Sequence, residues 1–159
     1  MELLVIRHAK AEDHGHPQGD RARALVPKGE VQSERIGRFL HRLDCLPDVT
    51  LTSPLVRARQ TAERMCAAAG LPAPVVQPWL ASGMAPDAAV AELAAFGEFD
   101  RVAVVGHEPD LSGLVAALLG TTADAIEVKK ASVTRLLLDP RGRRARLLFH
   151  APPALHGRG

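Results

Sequence analysis

The chain of 159 residues carries 20 Lys+Arg against 18 Asp+Glu, a net charge of +2, and is 47% hydrophobic, which describes one folded globular domain rather than a disordered segment. A domain of about 150 residues buries roughly 70% of its unfolded surface and needs neither disulfides nor a structural metal to fold. Four Phe, one Trp and no Tyr leave too few rings for base stacking or an aromatic cage, the small net charge argues against nucleic-acid binding, and no apolar run approaches the roughly 20 residues of a membrane span.

In chain order, Glu2 to Ile6 is a short apolar run that ends abruptly at Arg7-His8 and predicts a buried strand. A polar loop follows from about Lys10 to Arg23. Pro27 and Gly29 introduce a helix with Val31, Ile36, Phe39, Leu40 and Leu43 on one side and Arg35, Arg38 and Arg42 on the other. Asp48 to Thr52 is a second strand. Ser53-Pro54 then reads as N-cap and first helical residue of a helix that stops at Ala69-Gly70. A Pro-rich stretch holds a minor strand at Val75-Val76, and Asp87 to Phe96 is a third helix. Arg101 to Val105 repeats the first strand, Gly106-His107 closes it, and Pro109 opens a helix through Leu119. Val133 to Leu138 and Ala145 to Phe149 flank Asp139-Pro140-Arg141-Gly142 and predict a hairpin. The expected fold is a three-layer α/β/α domain over residues 1–151, with a mostly parallel sheet, helices on both faces and a C-terminal antiparallel hairpin. Residues 152–159 read as a flexible tail.

Ligands of open α/β sheets bind outside the carboxyl ends of the strands. Arg7-His8, Ser53 with Arg57 one turn later, and Gly106-His107-Glu108 all fall at such ends. Brought together they form a cationic site for a phosphate dianion, because the planar fork of Arg matches phosphate oxygens. The amino ends of the following helices add N–H groups to the same edge. A neutral imidazole is also a nucleophile toward phosphorus. His8 is the better candidate, since adjacent Arg7 favours its neutral form. Arg7, Arg57 and a protonated His107 would then balance the charge on the transferring group.

Arg7-His8-Ala9 after an apolar strand, Ser53-Pro54-Leu55-Val56-Arg57-Ala58 with Gln60-Thr61, and Val105-Gly106-His107-Glu108-Pro109 together resemble the histidine phosphatase superfamily, and within it the short phosphohistidine phosphatases of the SixA type. Leu25-Val26-Pro27-Lys28-Gly29 looks like the family's helix entry, with Val26 where the family has Thr; Ala9 stands where it has Gly. The resemblance implies that His8 is transiently phosphorylated, that Arg7, Arg57 and His107 bind the phosphoryl group, and that no metal or other cofactor takes part. Glu108 is then the candidate general acid, or a carboxylate capping the next helix. The implied partner is a phosphorylated protein, such as a phosphohistidine domain, or a small phosphate ester. The chain has no room for a cap insertion, and an open site suits a phosphate displayed on a protein surface. A phosphate-binding module without turnover is the non-enzymatic alternative.

Other features read more plainly. Ser53 reads foremost as an N-cap, with a hydroxyl that is also a candidate donor to a bound phosphate. Asp13-His14-Gly15-His16 lacks further ligands for a metal, and Arg141, Arg143, Arg144 and Arg146 read as solvated edge protection. Lys129-Lys130, if near the pocket rim, would attract an acidic substrate. Cys45 and Cys66 fit no metal or redox spacing and read as small buried residues of a reducing compartment. With no basic leader after Met1, a cytoplasmic location without membrane or nucleic-acid contacts is expected.

Overall fold

A computed structural model describes residues 1–157. Its main elements are β1 (Glu2–Arg7), α1 (Pro27–Arg42), β2 (Val49–Thr52), α2 (Val56–Ala69), β3 (Val75–Val76), α3 (Pro86–Leu93), β4 (Arg101–Gly106), α4 (Asp110–Leu119), β5 (Val133–Leu138) and β6 (Ala145–Ala151). They build one sheet in the order β3-β2-β4-β1-β5-β6. The first four in that order are mutually parallel, whereas β5 runs antiparallel to β1 and β6 antiparallel to β5. This is the expected α/β sheet with its terminal hairpin.

The central strands β1 and β4 are continuous apolar runs because both sheet faces are covered there. Successive side chains of β1 alternate between two cores. Leu3 and Val5 pack with Ala89 and Leu93 of α3 and with Leu111 and Leu114 of α4. Leu4 and Ile6 pack with Ile36 and Leu40 of α1 and with Ala58, Ala62 and Met65 of α2. Helices therefore cover the sheet in pairs, α1 and α2 on one face and α3 and α4 on the other. Cys45 and Cys66 are buried free thiols.

Several boundaries differ from expectation for local reasons. Ser53 and Pro54 precede α2 instead of opening it, and Leu55 is the N-cap. The Ser53 hydroxyl still accepts the Leu55 N–H at 3.2 Å, but it also faces His107 at 2.7 Å, so the chain turns toward the sheet edge before the helix starts. Likewise α4 starts at Asp110 with Pro109 as its N-cap. The third helix ends at Leu93 and passes into a 3-10 turn at Ala94–Phe96. The end expected to trail from Pro152 onward is held over its described residues: Pro153–Leu155 form a 3-10 turn. His156 is buried with its ring 4.6 Å from that of Phe39, and Arg42 donates to its carbonyl. Residues 158 and 159 of the expected tail lie outside the described residues.

Close packing of α1 on α2 depends on Gly37. A Cβ built there would fall on the Met65 carbonyl oxygen of α2. Gly37→Ala must therefore push two helices apart, an overpacking cost of about 1–3 kcal/mol that exceeds the gain of about 1 kcal/mol in helix propensity. Urea denaturation of this variant is expected to show a lowered midpoint with an unchanged slope.

Candidate active site

The sheet ladder carries on one residue past the strands, and this places the site. His8 N–H donates to the Gly106 carbonyl at 3.0 Å and Ser53 N–H to the Val105 carbonyl at 3.0 Å. Neighbouring parallel strands β2, β4 and β1 thus deliver Ser53, His107 and His8 to one edge, and the first turn of α2 adds Arg57. Arg7, His8, Arg57, His107 and Glu108 line a single pocket there. Ser53 lies behind it, fully buried.

His8 is 5% exposed, and its Nδ1 lies 2.8 Å from the Ala9 carbonyl oxygen. That acceptor puts the ring proton on Nδ1 and leaves the lone pair on Nε2, toward which Arg57 Nε–H points at 3.3 Å. Burial pushes the His8 pKa down to about 3; His107, Arg57 and Arg7 add to the shift, and the Ala9 bond opposes it. Burial, more than adjacent Arg7, thus keeps His8 neutral, which corrects the sequence expectation. Ala9, buried in the α1/α2 core, fits a Cβ without loss of the turn. Its N–H donates to Thr61 Oγ1 at 3.0 Å, and that hydroxyl donates to the Arg57 carbonyl at 2.7 Å. Thr61 therefore couples the end of β1 to the first turn of α2.

The His107 ring lies 5.3 Å from that of His8, centroid to centroid. Because the Ser53 hydroxyl already accepts the Leu55 N–H, its proton is available to His107 Nε2; this assignment puts the ring proton on Nδ1, which is buried without a partner. An N–H so placed is a donor for an oxyanion. Burial lowers the His107 pKa to about 4, helped by Arg57. The ring is therefore neutral at pH 7, rather than protonated as anticipated.

Arg57 is 3% exposed and almost fully engaged. Its Nη1 donates to the Asp20 carbonyl at 2.9 Å, and its Nη2 to the Asp20 carboxylate at 3.1 Å. Arg23, also buried, grips the other Asp20 oxygen at 2.8 Å. Although burial alone would raise the Asp20 pKa, Arg23 and Arg57 hold it below the usual carboxylate range. Arg7 donates from Nη1 to the Val128 carbonyl at 2.9 Å, while its buried Nε has no partner. Glu108 Oε1 accepts the Ser112 N–H at 2.8 Å, so this carboxylate caps the start of α4 as well as lining the pocket.

Sequence alone does not single out Asp20 and Arg23, because a polar loop has no periodicity to read. Their spacing of three residues, which lets the side chains meet across the 3-10 turn at Asp20–Ala22, was the available signal. His14 and His16 of the same loop turn to different carboxylates, Asp20 at 3.5 Å and Glu12 at 3.6 Å. No cluster of three metal-ligating side chains occurs among the described residues.

Neutral burial of His8, His107 and His156, with pKa values of about 3, 4 and 4, has a signed consequence for stability. Below the unfolded histidine value of about 6.5 the unfolded chain binds protons that the folded chain refuses, so stability is lost as pH falls from there toward the folded values. Each histidine should remove roughly 2 kcal/mol between about pH 7 and pH 5. Denaturant titrations at the two pH values check this, and equal midpoints would contradict it.

The histidine phosphatase superfamily (branch 1) model matches residues 3–79. An uncharacterized protein of Picosynechococcus sp. is 35% identical over 143 residues, covering 86% of this chain and 84% of that protein. Among solved structures, the protein histidine phosphatase SixA complexed with tungstate is similar at 25% identity and a TM-score of 0.88, covering 97% of this chain and 98% of its own. The alpha-ribazole phosphatase of Shigella flexneri shares the fold with a TM-score of 0.77 at 18% identity, over 96% and 97% of the two chains. A phosphoserine phosphatase mutant of Entamoeba histolytica shares it at 0.75 and 13%, over 98% of each chain.

Proposed function

Since the chain belongs to the histidine phosphatase superfamily, we propose that it is a phosphatase that carries the phosphoryl group transiently on His8 and acts on phosphohistidine displayed by a protein. The observation that carries this proposal is His8 itself: a buried, neutral imidazole with Nδ1 tied to the Ala9 carbonyl and the lone pair on Nε2, beside Arg57.

In the proposed first step Nε2 forms a bond to phosphorus as the bond to the leaving group breaks, and the leaving group departs with a proton. Water then attacks the phosphohistidine, the P–Nε2 bond breaks, and inorganic phosphate leaves. Arg7, Arg57 and His107 Nδ1–H are donors for the equatorial oxygens, whose charge is greatest in the transition state. Ser53 orients His107 from behind. Glu108 is the candidate proton donor, with Oε2 still available while Oε1 caps α4. Asp20, ionised between two guanidinium groups, is poorly suited to that task and instead positions Arg57.

A protein substrate is supported by the similarity to SixA and by a chain that has only α2, β3, α3 and two 3-10 turns between β2 and β4, without an inserted cap. Small phosphate esters form the second reading, favoured by the shared fold of the ribazole and phosphoserine phosphatases. A panel containing a phosphohistidine protein, phosphohistidine peptides and simple esters separates the two. The expected result is a kcat/KM for the phosphohistidine protein at least about tenfold above any ester, equivalent to about 1.4 kcal/mol in the transition state. Preference for an ester would move the assignment to the second reading, and no phosphate release from any member would sink both.

A further inference from the structure

The segment from Val128 to Ser132 is tied to the pocket end of β1. Ala131 N–H reaches both the Arg7 and His8 carbonyl oxygens, at 3.1 and 3.2 Å, and Ser132 N–H donates to the Lys129 carbonyl at 3.0 Å. Arg7 closes the ring from the other side through the Val128 carbonyl. Ala131 is fully buried and has φ 62°, a left-handed backbone that non-glycine residues seldom adopt. Such strain persists only where the surroundings enforce it. Here it turns the chain so that Lys130 lines the phosphoryl pocket, still largely exposed.

The two adjacent lysines differ in their partners. Lys129 pairs with Glu127 at 3.5 Å. Lys130 makes no ion pair among the described residues. Burial and the positive charges of Arg7, Arg23 and Lys10 lower its pKa, with Asp13 opposing. By contrast Arg23 and Arg57 share Asp20. An unpaired ammonium on the rim, crowded by other cations, is a site for an anion beyond the one that Arg7, Arg57 and His107 hold.

We infer that Lys130 forms a second anion subsite, which takes a carboxylate carried by the substrate next to its phosphoryl group. This rests on the phosphatase assignment above and adds a substrate class to it: phosphoryl compounds flanked by an acidic group, whether an Asp or Glu side chain beside phosphohistidine or the carboxylate of a small ester. A flexible ammonium suits this task, since it makes point contacts without demanding the planar geometry of Arg.

Calorimetric binding of methylphosphonate and phosphonoacetate tests the subsite without turnover. Wild-type protein is expected to bind the carboxylated phosphonate about tenfold more tightly, the ratio that one charge-assisted contact supplies. In Lys130→Gln the ratio should fall to within about twofold, while Lys130→Arg retains most of it. Lys129→Gln removes the same charge one residue away and should leave the ratio unchanged. A ratio unaffected by Lys130→Gln, or reduced equally by both Gln variants, overturns the subsite. Phosphohistidine peptides with Glu or Gln beside the modified residue form the second arm: a Glu preference lost in Lys130→Gln places the carboxylate on a polypeptide, and a preference confined to the phosphonates places it on a small molecule. A protein that keeps the phosphonate preference but releases no phosphate would refute the catalytic assignment alone.

Discussion

His8→Ala is expected to lower phosphate release by at least about 10⁴-fold, because it removes the proposed nucleophile and leaves only the proposed binding groups behind. Wild-type protein mixed with a labelled phosphohistidine donor and quenched in alkali should carry acid-labile, alkali-stable label. The variant should carry none. Fold and phosphate affinity should survive, since Arg7, Arg57 and His107 approach the pocket from separate elements. The same variant has a second signature. Without the buried neutral His8, the stability lost between about pH 7 and pH 5 should shrink by roughly 2 kcal/mol. Label on the protein in His8→Ala, or turnover within about tenfold of wild type, would remove His8 from the proposed role.

Arg57→Ala should lower kcat/KM by about 10²- to 10³-fold, the loss usual for one preorganised donor to developing charge. Three of its N–H groups already have directed uses, toward His8 Nε2, the Asp20 carbonyl and the Asp20 carboxylate. Arg57→Lys keeps the charge without that fork and should recover less than about tenfold. A thermal-shift measurement separates binding from chemistry. Orthophosphate at about 100 times its Kd should stabilise wild type by about 2.7 kcal/mol and Arg57→Ala far less at the same concentration. Equal shifts in the two proteins would show that Arg57 does not hold the phosphoryl group.

The strand ends were legible in the sequence because the apolar runs give way to polar residues within a position of the end of the strand, as at Arg7-His8 and Gly106-His107. The sheet order then brought those ends together. Less legible was what depends on contacts between distant segments. Ser53-Pro54 has the chemistry of a helix start, yet the hydroxyl is drawn to His107, 54 residues away, and the helix begins later. Asp20 and Arg23 lie in a loop whose composition says only that it is polar, and their importance arises when Arg57 folds against them. The neutral state of His8 was expected, but its dominant cause, burial, is a property of the assembled domain.

The strand order also bears on how the domain comes into being. β1 is the first strand to be synthesised, yet its two partners are β4, at residues 101–106, and β5, at residues 133–138. A growing chain therefore emerges with this apolar strand unpaired on both edges until most of its sequence has been made. Long-range pairing of this kind slows folding and exposes edges that other chains can capture. The candidate active site shares that delay, since the His8 N–H gains its backbone partner only when Gly106 arrives. Assembly of the candidate site is thus a late event in synthesis, and a nascent fragment ending before β4 can bring together neither the sheet centre nor the two histidines.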